Sequence, residues 1–574
     1  MELVYLWIKE YKNIKNQGFN FAPKFECEYK NGNLTICDKK AKDDNCKSKD
    51  YIENFFGKNM NITAIVGENG SGKSNILKAL FQNDDHSSAY DELWYILYSE
   101  FDNKLNIYFI DRTGIKEKRD VEKNFTHNIE TLKNEATLQT ELNFSMVYFS
   151  NILHYLPVHN DKQKKSFYNI STSYLIDRYT KKISNDKFIE FKYQYNYYKS
   201  KIIEQTIIML KDSEIKLDFL LPQDLNIVTL DTYPTDKIEI MEKLLKEEDS
   251  MDFRQRVKKN VIYNFLFNYL DQDELFQRIT TDDKKTIQEF YEEIKSTIPL
   301  ADELDDFLNL LENPNFFMTS VKIQDIDKEF IKKLKKFNSI QALSLGILDV
   351  FHLNWKPELS SGQENYLFQF ASFYNLFKNG TNLKNDIVIL IDEGETTMHP
   401  NWQKKYINYL HKFFKNNFSD KQIHLIVSSH SPFILSDIPK ENVIFLETHK
   451  KDDIEVKEAS QQVGDCKNAT KDININTFGA NIHTLLSNGF FMDDGLMGKF
   501  AKGKITEVLK YLNKEKKLKT IKKKQIKSII DSIGEDFLRN KLLDLYYKKF
   551  NIKSKDDEIK ELREEIERLK NDRN

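Results

Sequence analysis

An α/β fold is predicted: a mixed sheet with an antiparallel β part at its N-terminal end, a large helical insert, and a helical C-terminal extension. Three observations predict it. Short apolar runs rich in β-branched residues, "NITAIVG", "DIVILIDE" and "IHLIVSSH", end in Gly, acid or His, as buried parallel strands do where they leave a sheet. Residues 1 to about 66 alternate apolar and polar side chains around Asn/Gly turns such as "KNGN". From about 155 to 345 the texture changes to Lys/Glu-rich segments studded with Tyr and Phe.

The bulk properties agree. A chain of 574 residues exceeds what one compact core organises, so more than one domain is expected. The apolar fraction of 40% and the aromatic fraction of 13% suffice for globular packing. No uncharged apolar run is long enough to span a bilayer. The opening "MELVYLWIKEYKN" lacks the basic, apolar, small order of a secretory signal. A cytoplasmic protein with no membrane partner is expected. Cys27, Cys37, Cys46 and Cys466 show neither a CxxC pair nor a nearby His pair, and read as free thiols in preference to a zinc site. The formal net charge of −3 is uninformative as a whole, so charge is read locally.

In chain order, residues 1–154 form a first lobe: strands, then "NITAIVG" running into a Gly-rich turn, then "SNILKALF" with helical spacing at Ile76, Leu77, Leu80 and Phe81, then the strand "FSMVYFSN". Residues 155–345 form the helical insert, with segments such as "FRQRVKKNVIYNFLFNYL" and "ADELDDFLNLLEN" and no sustained heptad. Strand texture returns over 346–450 with "FHLNWKPE", "DIVILIDE", "IHLIVSSH" and "ENVIFLE". Residues 451–574 read as a polar loop followed by helices that serve oligomerisation or a partner.

"GENGSGKS" matches GxxxxGK[ST] in full, in the strand-then-helix context that motif requires. Gly67, Glu68, Asn69, Gly70, Ser71, Gly72, Lys73, Ser74 and Asn75 would cradle a nucleotide. Backbone N–H groups and the positive end of the following helix meet the phosphates there. Lys73 would reach the β and γ phosphates of ATP, and Ser74 would hold Mg²⁺. In "DIVILIDEG" four apolar residues, Val388 to Ile391, lodge the chain in the sheet and deliver Asp392 to its edge, where it can bind Mg²⁺ through water. Glu393 is then placed to orient or deprotonate the attacking water. A plain strand ending in an acidic turn would look the same in isolation. "LIVSSHSPFIL" brings His430 to a strand end, where it would touch the γ-phosphate or the water; a His capping the turn before Pro432 is the alternative. His399 is a second option by spacing, and His430 is favoured because it ends a strand parallel to the acidic one.

"PELSSGQENY" follows the insert and precedes the acidic strand. Phosphate loop, LSSGQ, acidic pair and strand-end His, in that order, resemble the ATP-binding cassette ATPases, and within them the soluble SMC and RecF-like branch. The family's LSGGQ signature corresponds to Leu359, Ser360, Ser361, Gly362 and Gln363, with Ser in place of the first Gly. The resemblance covers roughly residues 1–150 and 345–450. It implies a homodimer or higher homo-oligomer in which Ser360, Ser361, Gly362 and Gln363 serve an ATP held by the other subunit's phosphate loop. The family's coupling glutamine is not evident; Ser150 or Asn151 stands at that strand end and would ligate Mg²⁺ through water.

"EGETTMHPNWQKKYINYL" and "SSHSPFILSDIPKENVIFLE" look like overcoming-lysogenization-type ATPases, and "FGANIHTLLSNGFFMDDGLMGKFAKGKI" resembles the ATPase subunit of Septu-type and retron-associated defence modules. No nuclease carboxylate set is evident after residue 447; Asp493 and Asp494 are adjacent in a turn or helix and do not end a strand. The resemblance therefore implies an antiphage ATPase subunit that controls a separate nuclease of the HNH type, with DNA or RNA, including retron nucleic acid, as a further partner. RecF-like DNA repair is the alternative, ahead of a transporter motor or a scaffold that binds ATP without turnover. The stretch 501–530 carries many lysines against two glutamates, suited to phosphates or simply to a solvated face. The last helix shows Ile552, Ile559, Leu562, Ile566 and Leu569 at a/d spacing, which suits docking on a copy of itself or on a partner better than a frayed tail.

Overall fold

The computed structural model describes residues 1–41, 51–81, 93–100, 103–111, 114–121, 126–128, 143–152, 166–181, 191–213, 215, 219, 221–229, 251–270, 277, 286–298, 301–312, 320–332, 351–380, 382–458, 460–489, 497–514, 517–518, 521–552 and 555–571. They fall into two units, Met1–Phe491 and Met492–Asn574.

The first unit opens with β1 (Glu2–Tyr11), β2 (Ile14–Asn20), β3 (Phe25–Lys30), β4 (Asn33–Asp38) and β5 (Met60–Gly67), then α1 (Lys73–Phe81). β6 (Leu93–Ser99), β7 (Lys104–Asp111), β8 (Gly114–Val121), β9 (Thr126–Asn128), β10 (Phe144–Ser150) and β11 (Phe167–Asn169) follow. The insert supplies α2 (Thr172–Lys181), α3 (Phe191–Asp212), β12 (Asp224–Thr229), α4 (Phe253–Tyr269), α5 (Ile287–Ile294), α6 (Ala301–Glu312) and β13 (Ser320–Lys322). After β14 (Phe351–Lys356) come α7 (Ser361–Asn379), β15 (Asp386–Asp392), α8 (Pro400–Gln403), α9 (Tyr406–Asn417), β16 (Gln422–Ser429), α10 (Pro432–Leu435), β17 (Val443–Thr448), α11 (Ile454–Lys457), β18 (Cys466–Asn468) and α12 (Ile482–Gly489).

The predicted α/β class holds. The central sheet runs β11-β10-β15-β16-β5-β17-β18, parallel throughout except for β18. The N-terminal β part is antiparallel as predicted but forms two sheets, β2-β1-β6-β7-β8 and β3-β4-β9, in which β6 to β9 lie beyond the residues read as strands. Strand alternation divides the central sheet between two cores. Ile62, Ala64, Val66, Ile389, Ile391, Leu425 and Val427 face a cluster with α3, α7 and α9. Ile65, Val388, Leu390, Ile426 and Ile444 face α1 and strands β1 and β6. Because both faces are covered, these strands read as continuous apolar runs without alternation.

Three details differ from the sequence reading. The insert is not purely helical: β12 and β13 join β14 in a small antiparallel sheet. Residues 466–468, read as polar loop, form β18, because the short stretch pairs back on β17 and buries Cys466. Cys27 and Cys466 are free, but Cys37 is disulfide-bonded, a pairing that spacing without CxxC does not reveal. Asp493, Asp494 and most of the segment 327–351 lie outside the described residues.

The second unit contains α13 (Lys499–Leu512), α14 (Ile526–Asp531), α15 (Asp536–Phe550) and α16 (Lys555–Asn571). Val508, Leu512, Ile526, Ile530 and Leu542 form its core. No helix among the described residues is long and apolar enough to cross a membrane.

Candidate active site

β5, β15 and β16 end side by side, so the functional groups at their carboxyl ends converge. β5 stops at Gly67, whose φ of +155° is followed by +80° at Gly70 and +103° at Gly72. A Cβ on Gly67 would lie 2.0 Å from the Leu446 carbonyl oxygen, so the loop closes against β17 only with glycine there. Lys73 starts α1 and is buried; its ammonium donates to the carbonyls of Gly67 (3.1 Å) and Glu68 (2.7 Å). Burial pulls its pKa down to about 8, against the opposing pull of Glu393, Asp392 and Glu68. Its charge is therefore poorly solvated, and an anion in the loop would stabilise it.

In register, Ser150 of β10, Asp392 of β15 and Ser428 of β16 form one row across the sheet. Asp392 is fully buried and accepts from three hydroxyls: Ser74 (2.9 Å) and Ser428 (2.5 Å) on one oxygen, Tyr148 (3.1 Å) on the other. Ser74 and Asp392, predicted as metal ligands from distant parts of the chain, thus touch directly. A buried carboxylate beside a phosphate-loop hydroxyl is a hard-oxygen donor set suited to Mg²⁺. Ser150 is buried next to Asp392 in the ladder, and its hydroxyl accepts from the Ile152 amide at 3.3 Å. Asn151 instead donates to the Gly394 carbonyl at 3.0 Å.

Glu393 leaves β15 in a left-handed conformation, φ +51°, which costs a non-glycine residue about 1 kcal/mol or more. Its amide is held by the carbonyl and hydroxyl of Ser428, both at 3.2 Å. This turn aims the carboxylate at His430, with Nε2 3.3 Å from Oε1. The His430 contact outweighs partial burial and holds the Glu393 carboxyl below its ordinary range, so it is ionised at neutral pH. His399, by contrast, caps α8 by accepting from the Asn401 amide at 3.2 Å.

Ser360 is the N-cap of α7. Its hydroxyl accepts from the Gln363 amide (3.4 Å), and Gln363 Oε1 accepts from the Ser360 amide (2.8 Å), a reciprocal capping box. Ser360 and Ser361 are exposed and Gly362 is buried. A Cβ on Gly362 would lie 2.7 Å from the Thr397 carbonyl, and Asn365 donates to the Thr397 hydroxyl at 2.5 Å. The helix start thus packs on Thr397, four residues after Glu393. Among the described residues, no hydrogen bond of 67–75 reaches 360–363.

Several site residues escape sequence reading. Glu395 is buried; burial raises its carboxyl to about 7, Ser429 donates to one oxygen, and the other has no partner among the described residues. Asn13, in the β1–β2 turn, donates to the Gly70 carbonyl (2.8 Å) and accepts from Asn75 (2.8 Å). Thr448 donates to the Glu68 carboxylate at 2.9 Å. The "SSHS" run is the only local signal of this hydroxyl network; Tyr148, Glu395 and Asn13 give none.

The chain is similar to several known proteins. A stretch of 99 residues is 33% identical to the Retron Ec83 probable ATPase of Escherichia coli, spanning 16% of this chain and 17% of that protein. The SMC head domain from Thermotoga maritima aligns over 78% of this chain and 96% of its own length, at 10% identity and a TM-score of 0.24. The AAA ATPase domain model matches residues 48–435, which include the phosphate loop, Asp392, Glu393 and His430. That match spans more than half of the chain, which belongs to the AAA ATPase domain family.

Proposed function

We propose that the chain binds and hydrolyses ATP at this site, working as a homodimer whose ATP state controls a separate nuclease in antiphage defence. The convergence of Lys73, Ser74, Asp392, Glu393 and His430 at adjoining strand ends carries the enzymatic part. The loop amides and the Lys73 ammonium would hold the β and γ phosphates. Mg²⁺, held by Ser74 and Asp392, would neutralise charge on the phosphate oxygens. Glu393, ionised and fixed by the strained turn, orients the attacking water and accepts its proton. His430 fixes that carboxylate and lies beside the incoming water.

Ser360, Ser361, Gly362 and Gln363 form a helix start with exposed hydroxyls, the kind of anion-facing end that would complete a second copy's site. The likeness to the retron ATPase, short as it is, supports the defence setting. A nuclease partner of the HNH type, and DNA or RNA as trigger or target, follow from the same reading, as does a cytoplasmic location.

The test has two arms. Lys73→Ala should abolish binding of a fluorescent ATP analogue while leaving the fold intact by circular dichroism; undiminished binding sinks the nucleotide site. Cells carrying the native locus should resist phage and lose resistance with Lys73→Ala; resistance indifferent to that change sinks the defence role but not the ATPase.

A further inference from the structure

We propose that α16 pairs with the same helix of a second copy as a parallel, in-register two-stranded coiled coil, a contact that makes no use of the ATP site. Ile559, Leu562, Ile566 and Leu569 fall at alternating steps of three and four, with Ile552 one heptad earlier. All five are exposed, between 47% and 60%. None belongs to the core of its own unit, which is built from α13, α14 and α15. A solvated helix has no use for a continuous seam of four large aliphatic residues on one side.

The sequence of the seam specifies what covers it. With Ile559 and Ile566 at a and Leu562 and Leu569 at d, the β-branched-at-a, Leu-at-d pattern favours two parallel strands over three or four. The flanks agree. Glu558 and Glu565 fall at g, Arg563 and Lys570 at e. In a parallel pair each g residue faces the e residue of the next heptad on the other helix, so Glu558 meets Arg563 and Glu565 meets Lys570. In an antiparallel pair centred on the seam, Glu565 would meet Glu565 and Arg563 would meet Arg563. One chain thus carries both halves of a complementary pattern, and a partner of other sequence is not needed to satisfy it. A parallel coil has a twofold axis along its length and closes as a dimer. The 17 residues of α16 are too few to pair strongly as a free peptide, so the coil acts on full-length protomers.

The experiment uses the full chain in a Lys73→Ala background without nucleotide, so a failed ATP site cannot mimic a failed coil. Leu562→Cys should cross-link to itself under mild oxidation, above the level of the native cysteines alone. Cross-linking only when Leu562→Cys is mixed with Ile566→Cys would show an antiparallel pair and overturn the proposal, as would no cross-link in either. A sedimenting mass of three or more chains also overturns it. Glu565→Lys should weaken self-association about tenfold, and Glu565→Lys with Lys570→Glu should restore it. A double variant no tighter than the single one contradicts the pairing.

Discussion

Lys73 and Glu395 both sit where burial opposes their charge, with opposite consequences for pH. Lys73 titrates near 8 in the free protein, so polyphosphate meets an ammonium below that pH and a neutral amine above it. ATP affinity should be level up to about pH 8 and then fall by up to about tenfold per pH unit, with proton uptake on binding in that range by calorimetry. An affinity constant to pH 9.5 would show that Lys73 does not carry the phosphate charge. Glu395 is raised from 4.5 to about 7, so the folded state holds a proton that the unfolded chain releases. Its favourable contribution is complete below pH 4.5 and is lost as pH rises to 7. Glu395→Gln should therefore raise stability at pH 8 by about 3 kcal/mol and leave it nearly unchanged at pH 4.5, as read by thermal melts. Equal shifts at both pH values would assign the effect to packing. Neither behaviour is legible in sequence. Lys73 is identified by its motif, but its depressed pKa comes from the strands around it. Glu395 is one more acid in "DEGETT" until Ser429 and the sheet enclose it.

The phosphate loop, acidic strand end and strand-end His were legible because each makes a local demand on residue type: glycines for positive φ, an apolar run for a buried strand, a polar group at its exit. What joins them is register, which strands far apart in the chain do not disclose. The row Ser150–Asp392–Ser428 exists only because β10, β15 and β16 align at those positions, and it decides that Ser428 and Tyr148 bind Asp392. β13 and β18 escape sequence reading for a similar reason: three-residue strands carry too few alternations to register as a pattern, and partners elsewhere in the chain define them, as β14 defines β12. At the start of α7, Ser360 has a capping duty alongside any role toward nucleotide. Ser360→Ala should cost about 1 kcal/mol of stability, measured by urea unfolding. If the helix start also completes a second copy's site, ATPase turnover should fall further than Ser360→Asn, which keeps the cap, allows for stability alone. Turnover that simply follows the stability loss in both variants confines Ser360 to capping.

For the whole molecule, covering the central sheet on both faces leaves its carboxyl edge for chemistry. The left-handed Glu393 is tolerated because β16 grips its amide and His430 contacts its carboxylate, so the strained residue is also the one proposed to activate water. On the proposals above, two contacts between copies would be separable: ATP held between the site of one protomer and α7 of another, and a coil that needs no nucleotide. ATP turnover would change the first while the second would keep protomers together. That division needs Glu393 to be the group that activates water. Steady-state phosphate release by Glu393→Gln, with ATP binding measured in parallel, tests it most directly. Binding at the native affinity with turnover reduced about 100-fold or more is the expected result; native turnover in that variant would contradict the account.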